Sequence, residues 1–149
     1  MLNEAASPFD ILLVEDEPAD ANLVRSALKM NKVFCTLHHE MDGLDALAFL
    51  RHQGERYKDT PRPDLILLDL NMPRMNGKEF LAEIKKDPVL SVIPVVVLTT
   101  SDVERDVVAS YKLGAAGYIT KPVDMEQFID AIRQLDSYWF VLARLPLKT

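Results

Sequence analysis

Four apolar runs in this chain end in residues that can do chemistry. "ILLV" runs into Glu15 and Asp16, "DLILL" into Asp69 and then Asn71, "VVVL" into Thr99, Thr100 and Ser101, and "GYI" into Thr120 and Lys121. Neighbouring carboxylates disfavour one another's ionisation, so crowding Glu15, Asp16 and Asp69 calls for solvent, a cation or a chemical task. Such a hard, oxygen-rich set suits Mg²⁺, which takes few carboxylates, keeps waters and leaves a vertex for a phosphoryl oxygen. Lys121 adds an ammonium group, and Thr99 a hydroxyl able to donate to a bound anion. Together they could seat a phosphoryl group on a carboxylate, since that transfer needs mainly positioning and charge neutralisation.

Taken singly, each residue has a plainer role. Asp16, or Thr99 to Ser101, could cap a helix; Asp69 could open a turn; Lys121 could be solvated. The convergence of complementary groups at four strand ends outweighs those readings. His38 and His39 have no metal partners at suitable spacing and read as surface residues at a strand end. Cys35 reads as a small buried side chain near a strand; as the single cysteine it excludes an internal disulfide and fits a reducing compartment.

Five strands are expected to position these groups. They are "DILLVE" (Asp10 to Glu15), a weaker "VFCTLHH", "DLILLDL", "IPVVVLTT" and "GYIT". Segments of helical period separate them: Leu23, Val24, Ala27 and Leu28 after Pro18, then Leu44, Leu47 and Ala48. Phe80, Leu81 and Ile84 follow, then Val103, Val107, Val108 and Tyr111, and a last helix from about Asp124. "GERYKDTPRP" is polar and Pro-bearing, and reads as a loop. Five β–α units in series predict an α/β, doubly wound, five-stranded parallel sheet with helices on both faces. In such a sheet ligands gather at the carboxyl ends of the strands, where all the residues above are expected.

Composition narrows the function. Hydrophobic residues make up 48% of 149, enough for one domain over 1–149, with a core of about 9–139 and a C-terminal extension over 140–149. A net charge of -6 argues against a nucleic-acid partner, and no apolar run is long enough for a membrane partner. After the first strand stands "EDEPAD" where a dinucleotide fold needs a glycine fingerprint, and no P-loop occurs. A phosphatase with an Asp nucleophile would want a second Asp where "DLN" has Asn71.

In "LLVEDEPAD", "DLILLDLNMPRMNGKEFL", "IPVVVLTTSD" and "GAAGYITKPVD" the chain resembles bacterial response-regulator receiver domains, from about Phe9 to Tyr138. The resemblance implies a flavodoxin-like fold with Asp69 as phosphoacceptor. It implies Mg²⁺ on Asp16, Asp69 and the main-chain carbonyl of Asn71, with Glu15 acting through water. Lys121 would pair with the phosphoryl group, Thr99 would swing toward it, and Tyr118 matches the aromatic switch position. The Lys121–Pro122 bond is typically cis in that family. The Glu-Asp pair departs from the Asp-Asp of many members, a tolerated variant.

Few residues follow Tyr138, so a stand-alone receiver without an output domain is expected, cytoplasmic and acting only on its own phosphorylation. "RHQGERYKDTPRP" and "SYWFVLARLP" resemble the small regulators of cyanobacterial phytochromes. The expected partner is then a histidine kinase of the light-sensing phytochrome kind. The competing reading from another class is a constitutive interaction module with a vestigial site, against which the full acid, hydroxyl and lysine set counts. Finally, Phe128, Ile132, Leu135, Trp139 and Leu142 recur at helical spacing before an apolar exit. That seam predicts a homodimer anchored by Trp139 and Phe140.

Overall fold

The computed structural model describes residues 9–30, 35–70, 72, 74–99, 112, 114–121 and 126–127. Five strands form one parallel sheet: β1 (Phe9–Val14), β2 (Cys35–Glu40), β3 (Leu65–Asp69), β4 (Val95–Thr99) and β5 (Gly117–Thr120). Their order is β2-β1-β3-β4-β5. The chain leaves β1 toward β2 and then crosses back to β3 on the other side. Between β1 and β3 the direction of winding therefore reverses, which leaves a crevice at their carboxyl ends.

Alternation along each strand feeds two cores. Ile11, Leu13, Leu65, Leu67, Val96, Leu98 and Ile119 face one way, against Ala21, Val24 and Leu28 of α1 (Pro18–Met30). Leu12, Val14, Ile66, Leu68, Val95 and Val97 face the other way. They meet Leu47 and Leu50 of α2 (Gly43–Arg51) and Phe80, Leu81 and Ile84 of α3 (Gly77–Lys85). Both faces of β3 are covered, so "LILLD" is buried at every position and carries Asp69 inward with it. Each fully buried Leu or Phe here stabilises the fold by about 1.5–3 kcal/mol. Cys35 is half-buried against the first core; burial, with Asp10 adding to it, pushes its thiol pKa up.

Two details differ from the expected helical stripes. Leu23 and Leu44 are 49% and 45% exposed, and Ala21 and Ala46 are buried in their stead. Apolarity marks a helix, but the rotation about its axis is set by the sheet it docks on. The "GERYKDTPRP" segment holds a 3₁₀ turn, Glu55–Tyr57, whose tyrosine is buried between Phe49 and β2.

Helix ends are closed locally. Pro18 occupies the first position of α1, where its missing N–H leaves nothing unpaired. Asp42 caps α2 by accepting from the Asp45 N–H at 2.9 Å. Asn76 and Glu79 form a reciprocal capping box on α3. No described helix is long and apolar enough to cross a membrane.

Candidate functional site

At the crevice, β1 and β3 deliver three carboxylates. Glu15 follows β1 directly and is fully buried, Asp16 is half-buried, and Asp69 ends β3 at 6% exposure. One oxygen from each lies within 4.8 Å of the others. Adjacent parallel strands in register explain the meeting: Val14 pairs with Leu68, so the next residues of both strands leave the sheet side by side.

The backbone of Glu15 is held on both of its polar groups. Its N–H donates to the Glu40 carbonyl at 3.0 Å, and its carbonyl accepts from His39 Nε2 at 2.7 Å. Its side chain accepts from the Glu17 N–H through Oε2 at 3.2 Å. Glu40 is itself buried, and its carboxylate accepts from the Tyr57 hydroxyl at 2.8 Å, with Arg56 at 3.6 Å. Burial raises the Glu40 pKa, while Tyr57 and Arg56 pull it back. Burial and the Glu40 contact push the Tyr57 pKa up to about 12, so the phenol stays a donor.

The segment that follows β3 is pinned as well. The Gly77 N–H donates to Leu70 O at 3.0 Å, so the first turn of α3 presses on the end of β3. A Cβ at position 77 would collide with the Asp69 carbonyl and stand 2.6 Å from Leu70 Cα, which is why glycine is required. Further along, Arg74 adopts φ 61° and places Nε 2.7 Å from Asp42 Oδ2, tying the loop to the cap of α2.

Lys121 arrives from the far side of the sheet, one residue beyond β5, with its side chain only 9% exposed. Its Nζ stands 2.5 Å from Glu15 Oε1, 3.0 Å from Asp20 Oδ2 and 3.7 Å from Asp69 Oδ1. The Asp20 contact is a directed hydrogen bond. The closer Glu15 contact also helps keep the ammonium charged, but among the described residues its Oε1 makes no hydrogen bond of good geometry. Burial lowers the ammonium pKa, but Glu15, Asp20 and Asp69 outweigh it and hold the value above the ordinary lysine range. Three carboxylates thus share one ammonium. A buried carboxylate oxygen without a directed donor, among clustered hard oxygens, fits a divalent cation such as Mg²⁺.

Of the expected site residues, Glu15, Asp16, Asp69 and Lys121 converge. Thr99 ends β4 with its backbone in register with Thr120 of β5, and Tyr118 on β5 is 38% exposed. Asn71, Thr100, Ser101, Pro122 and the seam of Phe128, Ile132, Leu135, Trp139, Phe140 and Leu142 lie outside the described residues. His38 and His39, expected at the surface, are half-buried. His38 Nε2 lies 2.9 Å from Asp10 Oδ1 beneath Phe49, and His39 supports Glu15. Asp20 was not anticipated; its only signal was an acidic residue four places after Asp16, in a first helical turn.

The response regulator receiver domain family matches residues 11–133. Response regulator Rcp1 of Synechocystis sp. is 48% identical over 150 residues, covering 98% of this chain and 99% of its own. Among solved structures, the Mn²⁺-bound form of Rcp1 shares 46% identity at a TM-score of 0.73, over 95% of this chain and 100% of that one. The phosphorylated cyanobacterial phytochrome response regulator RcpA shares 45% identity at 0.76, over 94% and 99%.

Proposed function

Because the chain belongs to the response regulator receiver domain family, we propose that it is a phosphorylation switch whose acceptor is Asp69. The observation that carries this reading is the Glu15, Asp16 and Asp69 cluster at the switch point of the sheet, with Lys121 buried against it. The donor is a phosphohistidine of a histidine kinase. As the new bond forms from an Asp69 oxygen to phosphorus, the bond from phosphorus to the imidazole nitrogen breaks, and imidazole leaves. Asp16, Asp69 and the Asn71 carbonyl would hold Mg²⁺, with Glu15 acting through water. When bound, the cation offsets charge on the phosphoryl oxygens.

The remaining parts follow from that step. Lys121 pairs with the seated phosphoryl group, Thr99 turns toward it, and Tyr118 reports the change on the β5 surface. The chain acts on no outside substrate, and its signal is a phosphorylation-dependent protein contact in the cytoplasm. Similarity to Rcp1 and RcpA supports a phytochrome kinase as donor. The single-domain reading of 1–149 and the homodimer through Trp139 and Phe140 belong to the same proposal and rest on sequence pattern.

Incubation with Mg²⁺ and acetyl phosphate, followed by intact mass, tests it. Wild type is expected to gain one phosphoryl group, and chelation of the metal to abolish the gain. Asp69→Asn, nearly isosteric, is expected to keep the fold and gain nothing; labelling of that variant at the wild-type level refutes the assignment.

A further inference from the structure

Three carboxylates lie around the Lys121 ammonium, and one of them directs it. Asp20 Oδ2 accepts a directed hydrogen bond at 3.0 Å, whereas Asp69 Oδ1 stands at 3.7 Å, beyond hydrogen-bond range. The Glu15 contact is short but undirected. Asp20 is also the odd member of the group. It is not among the three residues whose oxygens cluster as cation donors, and its side chain is 31% exposed against 0% for Glu15 and 8% for Asp69. An acidic residue in the first turn of α1 suits the helix dipole, which is its plainer role. The dipole does not account for a lysine 101 positions away at hydrogen-bond distance.

The most exposed of the three carboxylates is the easiest partner for the lysine to leave, because water replaces the lost bond. A phosphoryl group on Asp69 would offer new oxygens to the same ammonium. We infer that Asp20 is a positioning residue: it holds Lys121 off the acceptor carboxylate and competes with the phosphoryl group for that lysine. The inference rests on Asp69 being the acceptor. Asp20 thereby weighs the switch toward its unphosphorylated form, and its removal weighs it the other way.

Beryllofluoride, which binds carboxylates as a phosphoryl mimic, is the probe, titrated at saturating Mg²⁺. Asp20→Ala is expected to bind it about threefold to fivefold more tightly, the scale of one partly exposed charged contact. Asp20→Asn, which keeps the shape and loses the charge, should move the same way. In a Lys121→Met background, removing Asp20 should leave the affinity unchanged, since the competition is gone. No gain in the first background, or an equal gain in both, overturns the inference while leaving the acceptor assignment standing. A wild type that takes up no beryllofluoride removes the acceptor assignment itself. A separate reading needs no acceptor: the Lys121 Nζ resonance of metal-free protein should shift in Asp20→Ala, and an unchanged resonance also overturns the inference.

Discussion

Glu15 and Lys121 meet at 2.5 Å, yet the two sides of this contact are held by different means. On the acidic side the main chain does the holding. Glu15 is fixed through its own N–H and carbonyl by Glu40 and His39, and Asp69 ends a strand covered on both faces and pressed by α3 at Gly77. On the basic side, Lys121 follows a strand paired, among the described residues, with β4 alone, and charge together with the Asp20 hydrogen bond sets the place of its ammonium. Hydrogen-bonded backbone and steric contact act at short range and are stiff. Coulomb attraction falls off slowly with distance and tolerates several partners. The acidic side is therefore suited to keep a cation site in place, and the basic side to move when a new anion arrives.

Breaking the stiff side should have the largest effect. Gly77→Ala puts a Cβ against main-chain atoms of Asp69 and Leu70 that cannot step aside. Overpacking of that kind should outweigh the roughly 1 kcal/mol gained in helix propensity and leave a net loss of about 2 kcal/mol. Urea unfolding measures it, and a variant as stable as wild type would mean that the contact relaxes.

A smaller and more selective loosening is Tyr57→Phe, which strips a hydrogen bond from buried Glu40 at about 1 kcal/mol. Its pH dependence has a definite sign. Burial raises the Glu40 pKa in the fold, so the stability linked to this group is present below the unfolded-state value. It is lost as pH rises through the folded-state value. Without Tyr57, which lowers that pKa, the loss on ionisation grows. The deficit of the variant should therefore be larger at about pH 7 than at about pH 4, as urea unfolding at both would record. An equal deficit at both would mean that the contribution of the hydroxyl does not depend on the ionisation of Glu40.

The smallest effect is expected at Arg74, an exposed residue whose ion pairs with Asp42 and Asp45 are screened by solvent. Arg74→Gly should melt at or above the temperature of Arg74→Ala, because φ 61° suits glycine. The reverse order in thermal unfolding would mean that the tether, and not the backbone conformation, governs this loop.

Much of this was legible in the chain. Short branched-aliphatic runs separated by helical periods imply parallel strands, and parallel strands send every carboxyl end to one edge. Glu15, Asp16, Asp69 and Lys121 had to gather there for that reason alone. Local rules hold for them because each follows directly from the strand that carries it.

Other features are properties of how elements sit against one another, which no periodicity encodes. The rotation of α1 buries Ala21, exposes Leu23 and carries Asp20 to Lys121. The polar insert turns inward at Tyr57, whose hydroxyl bonds the carboxylate of Glu40, beside the His39 ring and Glu40 carbonyl that hold Glu15. Residue types and strand order determined which charges would share one edge. Only the tertiary structure decided which carboxylate directs the lysine, because a hydrogen bond depends on distances of tenths of an ångström between elements far apart in the chain.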